Sequence, residues 1–451
     1  MAIEDTPLYQ EILEVMGTGP KKVHYYWDCE IHTPTEDLSV MRVVSVDIIR
    51  DYSENYSDVI MLEVMIPAGT FDFRVYPAKH QLEVTLFKTP VREVGDVEDQ
   101  DLYREMQRYT ATLVDQGSGV IENNSPTQEN EQAANLSDTK TVAFQLMDVA
   151  IGQLRFKEVG GIYRHNTPGD VARTILGAAS RTVKVPRENR PKGVDIWPPD
   201  NTTPRSHVIV PHDTKLPMLA GFLQRECGIY TAGIGFYYQR GIWYIFPEFG
   251  IKDRWKKAPR KLTILNVPQH KLPGIERTYR VDDGNITVLS TGEVKLLDDS
   301  EQLQLNRGNG VRFTDASQFV DGFVETGGNK AIARRGQINN EFIGLGRQDK
   351  TKNAPMSDRR ITANPFVEYS ELARRNCSHL QMTWENSEET LIYPGMPVRV
   401  LYLEGTRVRR LEGVVAGAHH FVTGQGQGIT IKRHKTNTAL SLLVGRDVVW
   451  Q

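Results

Sequence analysis

The chain has 451 residues, room for about three folding units at a typical ~150 residues each, and its 54 Lys and Arg against 57 Asp and Glu leave a formal net charge of −3. No whole-chain field exists to draw in nucleic acid or an anionic membrane, so any such contact has to be local. A hydrophobic content of 39% with 25% charged residues fits a globular protein with buried cores, and 37 Gly with 23 Pro excludes a collagen-like or low-complexity chain.

The first 38 residues read as an N-terminal arm. From Arg42, the residues Val44, Val46 and Ile48 alternate with Ser45 and Asp47, the two-residue period of a half-buried strand. Phe71, Phe73 and Val75, then Leu82, Val84 and Leu86, repeat the pattern, with Pro67-Ala68-Gly69 and Pro77-Ala78 as breaks, so residues 40 to 90 predict an antiparallel β unit. Residues 95–139 are polar and acidic and read as an insertion within this first β domain, 39–165. Strand patterns resume at Val142, Phe144 and Leu146 and again over Gln153 to Val159.

Helical spacing follows in a small α/β module, 166–251. Thr167-Pro168 supplies an N-cap and a first-turn proline ahead of Val171, Ile175 and Ala178, and Asp213-Thr214 marks a second start before Leu219, Phe222 and Leu223, with Gly228 as its end. Phe236 to Tyr238 and Ile242 to Phe246 predict an aromatic hairpin around Arg240-Gly241. Tyr237, Tyr238 and Trp243 are expected to pack between domains, because aromatic rings dominate core and interface energetics. A second β domain, 252–390, opens with the basic linker carrying Arg254, Lys256 and Lys257, expected at a contact, and continues through strands at Leu262 to Leu265, Ile286 to Leu289 and Val294 to Leu297. Its loop 327–364 is rich in Gly, Asn and cations, among them Arg334, Arg335, Arg359 and Arg360. After a helix near Val367 to Arg375, residues 391–451 predict a small closed barrel of the OB or SH3 kind.

Motifs for chemistry are few. Cys29, Cys227 and Cys377 match neither a disulfide framework nor a zinc pair, so reduced thiols are expected. The spacing of His24 and His32 belongs to no metal motif, and His419-His420 on a strand point to opposite faces, so at most one joins His434. Gly424-Gln425-Gly426-Gln427-Gly428 leads into a strand and not the helix a phosphate loop requires. Neither a Gly-x-Ser-x-Gly elbow nor a His-Glu-x-x-His helix occurs. No catalytic residue, cofactor or metal is expected. The N-terminus is acidic where a secretory leader is basic, and no apolar run approaches the ~20 residues that span a bilayer, so membrane insertion is not expected.

Three stretches carry a family resemblance: SVMRVVSVDIIRDYSENYSDVIMLEVMIP at 39–67, DTKLPMLAGFLQRECGIYTAGIGFYYQRGIWYIFP at 213–247, and PGMPVRVLYLEGTRVRRLEGVVAGAHH at 394–420. In this order they resemble the baseplate hub of contractile-tailed bacteriophages, the T4-type hub and its relatives in contractile injection systems. The resemblance implies a mainly β chain with a small α/β module: two tail-tube-type β-barrel domains plus the terminal small barrel. It also implies a non-enzymatic virion protein, made in the host cytoplasm, whose homotrimer adapts a six-fold tail tube to a three-fold spike. The implied partners are the tail tube or tube-initiator protein, the central spike and the baseplate wedge proteins, without specific nucleic-acid binding. Another tube or baseplate component, or a tail-associated cell-wall hydrolase, are the alternatives. A further one is an oligonucleotide- or carbohydrate-binding terminal barrel using Arg407, Arg409, Arg410, Lys432 and Arg433.

Overall fold

A computed structural model of the chain describes residues 7–18, 24–91, 104–114, 139–249, 254–267, 277–291, 295–297, 342–343, 354–355, 364–375, 377–404, 407–425, 433–445 and 449–450. The fold is mainly β, with three packed units that each have their own apolar core.

Helix α1 (Pro7–Thr18) precedes the first β unit. That unit is built from β1 (His24–His32) with the short β2 (Asp37–Ser39) beside it, β3 (Arg42–Asp51), β4 (Val59–Pro67), β5 (Leu82–Val91), β6 (Glu105–Leu113) and β7 (Thr139–Asp148). The strands pair antiparallel in the order β3-β4-β7-β6-β5-β1, and alternate residues such as Val46, Leu62, Val84 and Phe144 fill the core. Two expectations change here. The expected arm ends in β1, whose Trp27, Cys29 and Ile31 alternate inward, while Leu8, Ile12 and Val15 of α1 pack on Leu265 and Leu289 far along the chain. The expected insertion 95–139 contains β6, where Tyr109 and Ala111 turn into the core between polar neighbours. Its other described residues are 104, 114 and 139; the remainder lies outside the described residues.

The supposed strand at Phe71 is helical, spanning the turns from Ala68 to Ala78. Phe71 and Val75, four apart, are buried while Phe73 is 68% exposed, the spacing of a helix face and not of a strand. Likewise Gln153 belongs to α2 (Val149–Leu154), because the Asp148 carboxylate accepts from the amides of Ala150 and Ile151 and caps the helix ahead of β8 (Glu158–Asn166).

The α/β module follows with α3 (Pro168–Arg181), β9 (Gly193–Ile196), β10 (Arg205–Lys215), α4 (Leu219–Cys227), β11 (Gly235–Gln239) and β12 (Ile242–Phe246). Thr167 accepts from the Asp170 amide at 3.2 Å and caps α3 as the sequence predicts. Asp213-Thr214 does not start a helix; both lie in β10, and α4 begins after a turn holding Pro217. Arg240 and Gly241, at φ 52° and 84°, form the hairpin turn that joins β11 to β12 with the strand twist such turns match.

A single helical turn, Arg254–Lys257, leads into β13 (Lys261–Val267), β14 (Tyr279–Asp282), β15 (Asn285–Thr291) and β16 (Lys295–Leu297). The minor pair β17 (Phe342–Ile343) and β18 (Ala354–Pro355), then α5 (Pro365–Arg375) and β19 (Cys377–Trp384), precede β20 (Pro397–Glu404), β21 (Arg407–Gln425) and β22 (Arg433–Gly445), with β23 (Val449–Trp450) against β21. The last long strands do not close a small barrel of their own. Val398 and Val400 of β20, Val415 of β21 and Leu442 of β22 share one core with Leu262, Ile264 and Val288, because β13 lies between β15 and β20, parallel to both. Strand β21 also ties the β units together. Its first half pairs with β20 and its second half with β3, and the crossing needs Gly417, where a Cβ would lie 2.6 Å from the Arg50 main-chain oxygen.

Candidate functional site

Where the three units meet, a cavity of about 340 Å³ is lined by groups from all of them, including Arg50, Lys88, Asp148, Tyr238 and Glu389. Burying charge is costly unless each ion is paired and hydrogen-bonded, and the cavity walls meet that requirement.

Arg50, 4% exposed on β3, is bonded on three sides: Nε donates to Asp58 Oδ2 at 3.1 Å, and Nη1 donates to the Glu389 main-chain oxygen at 2.8 Å and to His420 Nε2 at 2.9 Å. Because a guanidinium only donates, His420 accepts at Nε2 and its Nδ1–H donates to Thr438 Oγ1 at 2.7 Å. Burial, then the adjacent Arg50 cation, hold the His420 pKa well below its usual value, so the ring is neutral. Asp58 Oδ1 accepts from the Tyr237 hydroxyl at 3.0 Å, which brings the module hairpin into the same network. Burial acts to lower the Arg50 pKa, yet Asp58 and its other neighbours outweigh it and the net direction is upward.

Lys88 of β5 reaches Glu389 Oε1 at 2.5 Å and Glu388 Oε1 at 3.1 Å and lies 3.8 Å from the Tyr25 ring centre. Burial raises both carboxyls, but Lys88 outweighs it at Glu389 and brings that group down to about 2, while Glu388, beside Glu389, stays raised. On the far wall, Asp148 accepts from Gln107 Nε2 at 2.8 Å and Asn189 Nδ2 at 3.0 Å, and Asn189 holds the Arg108 amide and carbonyl. The acids described here already accept from fixed donors, so the arrangement acts chemically as a cross-brace. Tyr238, 2% exposed, lines the cavity with a hydroxyl that has no hydrogen-bond partner among the described residues.

The expected hairpin aromatics lie at this junction or just behind it. Tyr237 meets Tyr52 edge-on at 4.8 Å between ring centres, and Trp243 stacks on Phe236 at 4.9 Å and donates to Ser180 Oγ at 3.1 Å. Arg254 differs from expectation. It is 4% exposed and donates to the carbonyls of Pro247 at 2.7 Å and Gly395 at 2.5 Å, over the Trp197 ring, because the helical turn that carries it folds back under the module. Lys256 and Lys257 are exposed, and Arg334, Arg335, Arg359 and Arg360 lie outside the described residues.

The histidines are not gathered. His32 bonds Asp37 and Thr85, and His434 accepts from the Trp27 amide at 3.2 Å and bonds the Val43 carbonyl, sharing none of the partners of His420. Among the described residues no three His, Cys, Asp or Glu side chains are placed to hold a metal, and no helix is long and apolar enough to cross a membrane. In the supposed terminal patch, Arg409 pairs with Glu404 and Arg410 with Glu412, which neutralises much of its charge, and Lys432 lies outside the described residues. Arg50, Lys88 and Glu389 belong to no motif in the sequence and were not expected at a site. Arg50 offered one signal, a cation at an inward position of an alternating strand.

No family model matches the sequence, and no curated protein does. Among solved structures, the chain is similar to the 43 kDa tail protein of prophage MuSo2 from Shewanella oneidensis, at 10% identity and a TM-score of 0.44 over 92% of this chain and 96% of that one. It is also similar to a tail protein from Neisseria meningitidis MC58, at 10% identity and a TM-score of 0.43 over 93% and 96% of the two chains. A third is an E. coli component of the type VI secretion system described as similar to the T4 tail proteins gp27 and gp5, at 8% identity and a TM-score of 0.39 over 91% and 76%.

Proposed function

We propose that the chain is a structural, non-enzymatic subunit of a phage tail, the baseplate hub, whose homotrimer adapts a six-fold tail tube to a three-fold spike. The observation that carries the reading is two β units in one chain, joined edge to edge through β21, with β3-β4-β7-β6-β5-β1 on one side and β15-β13-β20-β21-β22-β19 on the other. Three copies of such a pair supply six comparable β units to a ring, which is what a symmetry adaptor needs. The junction supports the same reading, since charges buried between units hold them at one angle. In this role the neighbours are the tube or tube-initiator protein, the spike and the wedge proteins, and Lys256, Lys257 and the arginines of 327–364 are contacts to them.

The test is the solution mass of the purified protein together with class-averaged electron microscopy. A trimer mass and a three-fold ring of six lobes around an open centre are expected. A monomer that stays monomeric when mixed with tube and spike proteins overturns the reading.

A further inference from the structure

Residues 181–192 connect α3 to β9 and carry Arg181, Lys184, Arg187, Arg190 and Lys192, all exposed, against Glu188 as the sole acid of the stretch. Among the described residues none of these five side chains enters an ion pair or hydrogen bond. Surface cations such as Arg74 and Arg240 pair with Glu36 and Glu105, whereas these five do not pair among the described residues. Part of the same stretch lines an open groove of about 660 Å³, where Arg181, Lys184 and Arg190 stand among Val183, Val185, Pro186 and Pro191; Lys192 instead lines the junction cavity.

The groove is held rigid while its cations stay unpaired. Gln153 grips the Lys184 main chain from both sides, donating to its carbonyl at 2.9 Å and accepting from its amide at 3.3 Å. Asn189 is fixed by Arg108 and Asp148, and the Lys192 amide donates to the Gly241 carbonyl at 2.6 Å. Within 183–186 the Val183 amide bonds the Ser180 carbonyl and the Pro186 carbonyl accepts from the Asn189 amide, while the Val185 amide and carbonyl make no hydrogen bond among the described residues. A preorganised segment with the main-chain groups of Val185 free, apolar walls and a positive rim lowers the ordering cost of binding another extended chain.

We infer that this groove docks an extended segment of another polypeptide in which acidic and aliphatic side chains alternate. Carboxylates match the three cations of the groove, Arg181, Lys184 and Arg190, and aliphatic groups match the valine and proline walls. A nucleic acid makes poorer use of the surface, because the groove has no aromatic ring to stack a base and half its lining is apolar. The inference holds whether or not the chain forms a trimeric hub.

The experiment titrates the full chain into a fluorescein-labelled ten-residue peptide of alternating glutamate and valine, and separately into a labelled DNA duplex. Saturable peptide binding at low salt is expected, weakened at least ~10-fold in an R181E/K184E/R190E variant, since such exposed charges contribute through complementarity. An R164E/K215E variant, altered at exposed cations elsewhere, is expected to bind as the parent does, and circular dichroism melting confirms that both variants fold. Tighter binding of the duplex than of the peptide, with a steep loss on adding salt, overturns the inference. So does unchanged peptide binding by the triple variant, or no peptide binding at all.

Discussion

Arg50 donates to the main-chain oxygen of Glu389 at 2.8 Å across 339 residues of sequence, and the same guanidinium holds Asp58 and His420. A side chain of the first β unit thus satisfies a buried carbonyl next to the second unit's terminal strands. Through Asp58 and Tyr237 it also fixes the module hairpin.

Replacing Arg50 by methionine is expected to destabilise the protein by about 3–5 kcal/mol, the usual cost of removing one member of a buried ion network. Equilibrium denaturation measures it. A loss below ~1 kcal/mol would show that the junction relaxes without it.

Glu248 provides a pH test. Burial, partly countered by a hydrogen bond from Ser53, raises its pKa from 4.5 to about 7. A carboxyl raised in the folded state gives stability that is complete below the unfolded value near 4.5 and is lost as pH rises through 7. Glu248→Gln removes that dependence, so it is expected to be neutral at pH 4 and stabilising by about 2–3 kcal/mol at pH 8. Denaturation midpoints at the two pH values decide; a stability gap independent of pH refutes the assignment.

His420 and Glu389 act in the opposite direction. The depressed His420 pKa means stability is lost as pH falls below the ordinary value of 6.5, and Glu389 adds a further loss between 4.5 and about 2. Acid unfolding of the parent monitored by fluorescence is therefore expected to start below pH ~6.5, with His420→Gln shifting the onset to lower pH.

Two glycines separate close packing from backbone entropy. At Gly160 a Cβ would lie 2.5 Å from His212 Cα and 2.8 Å from the Pro211 oxygen, where β10 bulges against β8, whereas nothing lies within 4 Å of a Cβ at Gly177 in α3. Gly160→Ala is expected to cost about 1–3 kcal/mol by overpacking. Gly177→Ala is expected to stabilise by about 0.5–1 kcal/mol, since alanine loses less freedom in a helix. Thermal melts of the two variants should move in opposite directions.

Arg254→Ala is expected to cost about 2–4 kcal/mol by leaving the buried carbonyls of Pro247 and Gly395 without their donor. Lys256→Ala, two residues on and exposed, should change stability by less than ~0.5 kcal/mol. Equal small effects would mean that Arg254 is a surface residue after all.

Local pattern was enough wherever a segment's own neighbours decide its state. The alternation at Val46 and Ile48, the Thr167-Pro168 start of α3 and the Arg240-Gly241 turn are legible because period, cap and left-handed turn depend on adjacent residues. The same pattern misled at Phe71 to Val75, where a two-residue alternation coincided with a four-residue helical spacing and the side of Phe73 settled the matter. What tertiary structure alone decided is membership. That α1 lies on the second unit, that β21 serves two cores, and that Arg254 is buried while Lys256 is not all depend on contacts between residues far apart in the chain. Periodicity says which side of a strand is apolar; only the packing of distant strands says which core receives it, and which buried carbonyl a cation must reach.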